Sequence, residues 1–456
     1  MADGEPTTNG PRQIAARELR ATARLSSPIV AAQLAHMSMG FVDTVMVGRL
    51  GAAELAAVAL GSTTFFFLLM VCSGVIAAVG PMVAQVHGAG ESEPVSRSTR
   101  QGLWLAVMLG VPISVLLWNA GTLFRAIGQD PATVELATGY LRAICFGLTP
   151  ALGFAALRAF IEGIARPLPI TIITFGGVVL NIGANYVLMF GAWGIPAMGL
   201  TGTGWASAIV YTAMFIVIVL FAKLVPPFAG FKVFLRLRRP DPRYLKEIFR
   251  IGWPIGISTG IESGLFLVTT FMMGWISTTA LAAHQIAIQC ASVTFMVPLG
   301  IGIATSVRVG QAAGRADRRA VSRAGWTGIA LGTLMMTGAA LMFWLFPDSI
   351  VRLYLDPVHP GNRDVFELAV ALLGIAAVFQ LVDGIQICAA GALRGLKDTR
   401  VPMVIALFSY WVIGLSVGYT FGFVYNGGAE GLWWGLVMGL TGAAVLLCAR
   451  FNRMTS

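Results

Sequence analysis

The sequence predicts an all-α integral membrane protein of twelve transmembrane helices, arranged as two six-helix lobes that are related by a pseudo-twofold axis along the membrane normal. Three observations predict this fold. Of the 456 residues, 57% are hydrophobic and 11% are charged, which is too little charge to cover the surface of a soluble domain. Apolar stretches long enough to cross a bilayer recur along the whole chain. The two halves of the chain also share an ordered set of residues.

Twelve apolar segments follow one another, with charged residues mainly in the gaps between them. About 20 apolar residues in a helix span a bilayer core of roughly 30 Å. Glycine and proline are frequent inside these segments, which lipid-embedded helices tolerate when neighbouring helices satisfy the freed backbone groups. In chain order, the predicted spans are 26–48, 58–80, 101–121, 138–157, 168–190, 202–222, 251–274, 284–306, 325–346, 367–388, 401–421 and 431–449.

The basic residues indicate how the chain is oriented. Of the 31 lysines and arginines, 26 fall in the tails and in loops on one side of the predicted spans. This asymmetry is the positive-inside rule, and it predicts that both termini lie in the cytoplasm. The net charge of +10 is therefore a topology signal, and we expect lipid rather than nucleic acid as the partner of this chain. We predict a bacterial inner-membrane protein, and we expect a monomer.

A basic stretch between the sixth and seventh spans divides the chain. Pro226 and Pro227 are poor helix formers and mark a break there. Beside setting the topology, Arg236, Arg238 and Arg239 are candidates for contact with anionic lipid headgroups. The predicted organisation is a cytoplasmic tail (1–25), an N-lobe (26–223), a cytoplasmic inter-lobe linker (224–250), a C-lobe (251–450) and a second cytoplasmic tail (451–456).

The two halves repeat the same plan. Residues 24–57 align without a gap with residues 250–283 at a shift of 226, and Pro28 and Thr44, for example, recur as Pro254 and Thr270. Later, Ala-Leu-Arg at 156–158 recurs at 392–394. Because six spans per half is an even number, both halves start on the same side of the membrane and form parallel repeats. Parallel repeats of this kind are typical of transporters whose two lobes rock about a site near the midplane.

Three carboxylates lie deep in apolar spans: Asp43 in the first, Glu262 in the seventh and Asp383 in the tenth. Each costs about 2.5–3.5 kcal/mol to insert. An intramembrane carboxylate is by default a functional hypothesis because it binds a cation or a proton. The alternative is a satisfied interhelical hydrogen bond, although Ser, Thr or Asn fills that role at lower cost.

Polar neighbours strengthen the functional interpretation. His36 precedes Asp43 by two helical turns and aligns with Glu262 at the shift of 226. Gln380 and Gln386 flank Asp383 at three residues on either side. The alternative for the amides is packing between helices, and for His36 it is packing or tuning of pH dependence. The supporting polar candidates are His36, Asn181, Asn185, Gln285 and Gln380.

The sequence lacks the motifs of several classes of protein function. None of the four lysines follows a glycine, so the chain has no P-loop for ATP. No HExxH motif, cysteine pair or serine-based motif offers hydrolytic chemistry, and the five cysteines have no metal-type spacing. We therefore expect a protein that is not an enzyme and that uses no cofactor apart from a coupling ion.

Four motifs resemble those of the multidrug and toxic compound extrusion (MATE) family, in its NorM-like branch. They are Gly-Phe-Val-Asp-Thr-Val-Met at 40–46, Ala-Ala-His-Gln at 282–285, Ser-Val-Arg-Val-Gly at 306–310 and Ala-Gly-Ala-Leu-Arg-Gly at 390–395 with Lys397 and Asp398. The resemblance runs from about residue 15 to residue 450.

The resemblance implies a cation-coupled antiporter that exports organic, often cationic, compounds. It further implies that Glu262 and Asp383 form a C-lobe site for Na⁺ or H⁺, and that Asp43 lies in the N-lobe with Asn181 and Asn185. Family members often have tyrosine where this chain has Phe379, so one auxiliary cation ligand is missing there.

The expected mechanism is competition between the drug and the coupling ion for an acidic cavity. Phe266, Phe295, Met296 and Phe379 are candidates for its apolar walls, although side chains at such positions are more often part of a core. Two alternatives remain at this point, a flippase for lipid-linked precursors and a passive channel. A flippase requires a cationic groove for pyrophosphate, and a channel predicts flux without ion coupling.

Overall fold

The computed structural model describes residues 11–237, 240–356, 359 and 361–456. Residues 1–10 of the predicted N-terminal tail, and Arg238 and Arg239 of the predicted linker, lie outside the described residues. The described part contains twelve helices that are long and apolar enough to cross a membrane. They are α1 (Ala15–Val47), α2 (Ala53–Gly88), α3 (Ser92–Trp118), α4 (Pro131–Gly163), α5 (Leu168–Phe190), α6 (Gly199–Leu224), α7 (Pro242–Ile276), α8 (Thr278–Gly314), α9 (Arg318–Leu345), α10 (Arg363–Gly395), α11 (Arg400–Val424) and α12 (Gly428–Thr455).

Each predicted span falls on one of these helices, but most of the helices are longer than the spans. The 37 residues of α8 correspond to about 55 Å of helix, well beyond a 30 Å hydrocarbon core. A hydropathy pattern marks only the part of a helix that lies in lipid, and the polar ends continue as helix beyond it. α2 is additionally interrupted at Ala77 and Ala78, between two helical segments.

Side-chain caps explain where several helices begin. Immediately before α4, the carboxylate of Asp130 accepts a hydrogen bond from the backbone N–H of Thr133 at 2.9 Å. This hydrogen bond lowers the pKa of Asp130. The hydroxyl of Ser277 accepts the backbone N–H of Ala280 at 3.0 Å before α8. Each cap satisfies an N–H group that the first helical turn leaves free.

The segment between α6 and α7 is shorter than the predicted linker. α7 begins at Pro242, a position in the first turn that proline tolerates, with Asp241 as its N-cap. The preceding segment is tied to α3, because Trp104 donates through Nε1 to the carbonyl oxygen of Leu237 at 2.8 Å and Arg100 donates to that of Leu235. The chain therefore runs along the N-lobe before it enters the C-lobe.

The helix packing has the pattern of a pseudo-twofold axis. In the N-lobe, α4 packs on α2, α3 and α6, and in the C-lobe α10 packs on α8, α9 and α12. The contacts between the lobes are also symmetric. The first helix of each lobe packs on the second helix of the other, so α1 packs on α8 and α7 packs on α2. The lobes are thus equivalent six-helix units that face each other through their first two helices.

Glycines allow the two lobes to approach closely. A Cβ atom on Gly74 of α2 would lie 2.8 Å from the Cα atom of Gly256 in α7, and one on Gly300 of α8 would lie 2.5 Å from Cγ2 of Val30 in α1. Gly74 and Gly300 are separated by the same shift of 226 that relates the repeats. Small residues at helix crossings are typical of packing in membranes, where close backbone approach supplies the contact energy.

Candidate functional site

The N-lobe holds Asp43 in a network of hydrogen bonds. Asn181 and Asn185 of α5 donate through their Nδ2 atoms to Oδ1 of Asp43, at 3.1 Å and 2.6 Å. Ser207 of α6 donates to Oδ2 at 3.4 Å. Asn181 and Asn185 project from one face of α5 because they are four residues apart, so the spacing in the sequence correctly grouped them. Ser207 was missed, since a serine in an apolar helix carries no pattern that distinguishes it.

His36 does not bond to Asp43, although both belong to α1. Its ring lies 6.5 Å from the ring of Tyr211, measured between centroids, at an angle of 46°. Arg158 of α4 is close enough to interact electrostatically with His36. The packing interpretation of His36 therefore has a physical basis in this geometry.

The C-lobe brings Glu262 of α7, Asp383 of α10 and Tyr410 of α11 together. The charges of the two carboxylates interact with each other, and both interact with the Tyr410 hydroxyl. Asp383 is only 3% exposed, while Glu262 is half-buried. Tyr410 was not predicted from the sequence. It lies in a π-helical stretch of α11, Phe408–Gly414, a type of distortion that is frequent at functional sites.

Polar atoms around Asp383 lack partners among the described residues. They are Oδ1 of Asp383, both side-chain polar atoms of Gln380, Oε1 of Gln386, the hydroxyl of Tyr410 and Nε1 of Trp433. A buried polar group without a partner costs about 1–3 kcal/mol. Such a cluster is therefore expensive unless a ligand, a proton or water satisfies it.

The chemistry of this cluster fits a hard cation. Its free acceptors are carboxylate, amide and phenol oxygens, which suit hard cations rather than soft metals. In the part of the chain that the structure describes, no group of three or more His, Cys, Asp or Glu residues is arranged for a metal ion. The C-lobe residues that could hold Na⁺ are thus Glu262 and Asp383, with Gln380, Gln386 and Tyr410 beside them.

Aromatic residues form one side of the C-lobe site. Phe379, one turn before Asp383, is 3% exposed and lies edge-to-face against Phe266 and Trp433, with ring centroids 6.1 Å and 5.7 Å apart. Phe295 and Met296 of α8 are half-buried. Phe379 is thus an interior residue of the lobe, in agreement with the core alternative.

Gln285 stands apart from the acidic cluster. It is exposed on α8, whereas its neighbour His284 is fully buried, with Nε2 at 3.1 Å from the hydroxyl of Thr270 and its ring 5.8 Å from that of Trp433. Gln285 and Gln289, four residues apart, share one face of α8. That face is exposed at both positions.

A small cavity lies next to Glu262 inside the C-lobe. The space in it that is open to the centre of a water molecule is about 20 Å³, enough for one water molecule. Three elements supply its polar lining. They are α7 with Ser258 and Glu262, α10 with Gln386 and Arg394, and α11 with Tyr410 inside the helix and Thr399 immediately before it.

Comparison with known proteins agrees with the fold and the repeat. The MatE family pattern matches residues 28–187 and 254–420, one match in each lobe. A relative from Pseudomonas aeruginosa, described as a probable multidrug resistance protein NorM, is 42% identical over 96% of this chain and 90% of its own length. A relative of the same description from Synechococcus is 38% identical over 96% of this chain and 94% of its own length.

A solved structure extends the comparison to three dimensions. It is described as the outward-facing conformation of a multidrug resistance MATE family transporter of the MOP superfamily. Its TM-score to this chain is 0.88 at 20% identity, over 99% of both chains, which shows that the fold is the same. Because the family pattern matches both lobes and the relatives are similar in sequence over nearly the whole length, the chain belongs to the MATE family of membrane transporters.

Proposed function

We propose that the protein is a secondary active multidrug exporter, which exchanges organic and often cationic compounds for Na⁺ or H⁺ by alternating access. The observation that carries this proposal is the acidic cluster of the C-lobe, in which Oδ1 of Asp383 and the polar side-chain atoms of Gln380 beside it lack partners among the described residues. The relatives described as probable multidrug resistance proteins support the same substrate class.

The proposed mechanism is competition for negative charge. The carboxylates of Glu262 and Asp383 attract a lipophilic cation, and aromatic side chains such as Phe266 bury its apolar part. Entry of Na⁺ or H⁺ from the outside neutralises these carboxylates, so the drug loses its counter-charge and leaves. Each net positive charge that moves inward in a cycle contributes about 2.3 kcal/mol per 100 mV, which supports a gradient of roughly tens-fold in the drug. A one-for-one exchange with a singly charged drug moves no net charge, so the concentration gradient of the coupling ion alone drives it.

We propose Asp43 as a second coupling carboxylate, with Asn181 and Asn185 as its partners. Two amides and a hydroxyl donate to it, and such hydrogen bonds favour the charged form of a carboxylate. These hydrogen bonds offset part of the cost of burying the charge of Asp43, whereas Asp383 has an oxygen without a protein partner among the described residues.

Alternating access is supported by contacts that join the lobes near one membrane face. We call it the terminal side, because α1 begins there and α12 ends there, and we propose that it is cytoplasmic. Gln85 of α2 donates to the carbonyl oxygen of Gly395 in the opposite lobe at 2.8 Å. Gln311 of α8 donates to that of Gly163 at 3.0 Å. The glutamines are 226 residues apart, so the contacts are reciprocal about the pseudo-twofold axis.

An ion pair adds to these glutamine contacts. Arg308 of α8 forms a salt bridge with Glu18 of α1, and it also donates to the hydroxyl of Thr22 and, at 2.7 Å, to the carbonyl oxygen of Glu18. These bonds close the two lobes together on the terminal side. Opening that side to admit a drug requires that they break.

Cross-linking tests this closure. A variant with Glu18→Cys and Arg308→Cys, treated with a short bifunctional methanethiosulfonate, should lose drug transport, and a reductant should restore it because it cleaves the disulfides that join the reagent to the protein. The matched control joins Glu247→Cys and Lys397→Cys, a pair that is 3.1 Å apart within the C-lobe. Full transport by the cross-linked inter-lobe pair would contradict alternating access about this closure.

Transport in vesicles tests the function itself. Proteoliposomes with an imposed Na⁺ or pH gradient should accumulate ethidium against its own gradient, and the effective gradient identifies the coupling ion. Flux that ignores both gradients would indicate a channel. Movement of a lipid-linked pyrophosphate without ethidium transport would indicate the second candidate, a flippase, which the acidic cluster disfavours because it repels pyrophosphate.

A further inference from the structure

We propose that the guanidinium of Arg394, held in place by the protein, is the counter-ion of Glu262 when no coupling ion is bound. In each cycle the coupling cation replaces Arg394 as the positive charge that neutralises this carboxylate. This inference rests on the proposed coupling role of Glu262 and adds a residue to it. It assigns to Arg394 the task of keeping ion binding weak enough for release on the terminal side.

The cavity beside Glu262 leads toward the terminal side. α7 starts there, α10 ends there and α11 starts there. On α10, the lining passes from Gln386 to Arg394, eight residues or about 12 Å nearer to that side. On α11, it passes from Tyr410 back to Thr399, the residue before the helix. Glu262 and Tyr410 thus lie at the deep end, and Arg394 lies toward the mouth.

Arg394 and Glu262 share this cavity without forming a direct ion pair. Their charges interact, but among the described residues the ion pairs within 4.0 Å do not include them. The cavity that both residues line is large enough for one water molecule or one small cation. The guanidinium of Arg394 attracts the carboxylate of Glu262 when no cation is bound to it, and it repels a cation that binds there.

Two other basic side chains near the mouth of the cavity are paired with carboxylates. Lys397 bonds to Glu247 at 3.1 Å, and Arg450 bonds to Asp398 at 2.9 Å. The groups that face Arg394 are Glu262 on α7 and the Tyr410 hydroxyl on α11, with Asp383 deeper on its own helix. Glu262 is therefore the carboxylate available to Arg394.

The N-lobe supplies an internal comparison. Arg158 occupies the equivalent place in the repeated Ala-Leu-Arg motif, and it faces His36, the counterpart of Glu262. Arg158 is neutralised one turn later by Glu162, at 2.8 Å, and it also donates to Gln33 at 2.6 Å. The residue four positions after Arg394 is Asp398, which is paired with Arg450 instead. In the C-lobe the arginine charge is thus left for the coupling carboxylate.

The test compares Arg394→Gln with Arg394→Lys. The ion concentration that gives half-maximal ethidium transport in proteoliposomes is measured in a Na⁺ series and in a pH series. Removing the positive charge should tighten ion binding, so Arg394→Gln should need roughly tenfold less of the coupling ion, while turnover falls because release slows. Arg394→Lys should stay within about twofold of the parent. Arg400→Gln, exposed at the start of α11, is the control and should not change the ion requirement.

A merely structural arginine would give the opposite result. Loss of a packing role weakens ion binding or leaves it unchanged, and either outcome in a folded Arg394→Gln protein overturns the proposal. If that variant does not fold, Arg450→Gln takes its place, because it frees Asp398 to neutralise Arg394. The ion requirement should again fall, by several-fold, and an unchanged or raised requirement overturns the proposal.

Glu262→Gln separates this inference from the function on which it rests. If Glu262→Gln keeps the ion dependence of the parent, Glu262 is not the coupling site and the proposed site fails. If Glu262→Gln changes the dependence but Arg394→Gln does not tighten ion binding, only the role of Arg394 fails.

Discussion

The two lobes share one fold but satisfy their buried acids differently. In the N-lobe, Asp43 accepts three side-chain hydrogen bonds, two from asparagines and one from a serine. In the C-lobe, Asp383 is more deeply buried, and its Oδ1 atom has no partner in the described part of the chain. The two lobes thus hold one acid whose hydrogen-bond donors the protein itself supplies and one with an oxygen that the described residues leave unpaired.

This difference follows from the residues that each lobe places opposite its acid. In the N-lobe, α5 presents two amide donors to Asp43. In the C-lobe, Glu262 brings a second negative charge and Tyr410 a hydroxyl. Two carboxylates in one apolar region repel each other, so a cation or a proton there is favourable. From this comparison we expect the stronger dependence on an ion in the C-lobe.

The largest expected effect is that of Asp383→Asn. The amide keeps the shape of the side chain but removes the charge, so cation coupling is lost and ethidium efflux from cells should fall by about 100-fold or more. Asp364→Asn, an identical change in the exposed first turn of the same helix, should leave efflux unchanged. Equal amounts of both variants in the membrane establish that folding is preserved, and full efflux by Asp383→Asn would remove the C-lobe site from the mechanism.

A smaller effect distinguishes the two acids by stability. Asp43→Ala leaves the amide groups of Asn181 and Asn185 without their acceptor, which should cost about 1–3 kcal/mol. Asp383→Ala removes a buried acid that lacks such donors, so it should cost less or stabilise the protein. Thermal unfolding of the purified variants in detergent, without coupling ion, measures this order. The reverse order would mean that the hydrogen bonds around Asp43 do not hold its charge.

Much of the fold follows from lipid as the solvent. Every backbone polar group there must be hydrogen-bonded within a helix, so an apolar stretch of about the same length predicts each span. The ends of the helices were less predictable, since their polar ends continue beyond the lipid. The repeat at a shift of 226 correctly indicated two equivalent lobes, because related residues such as Gly74 and Gly300 occupy equivalent crossings.

The candidate site was predictable where a charge is out of place. Asp43, Glu262 and Asp383 are conspicuous in apolar spans, and Asn181 and Asn185 are grouped by helical spacing. Tyr410, Trp433 and Ser207 were not found, because their place depends on how distant helices pack and on a π-helical stretch in α11. The position of Arg394 beside Glu262 could not be predicted, since the cavity that both line exists only once three helices have met.

The central claim is that a drug and a small cation compete for the same buried carboxylates. Release of the bound ion by the drug tests it most directly, with purified protein loaded with ²²Na⁺ or held in weakly buffered solution. Addition of ethidium should release Na⁺ or protons from the parent protein, and Asp383→Asn should release far less. If ethidium binds to the parent with its usual affinity but releases neither ion, the two do not compete and the proposed exchange is wrong.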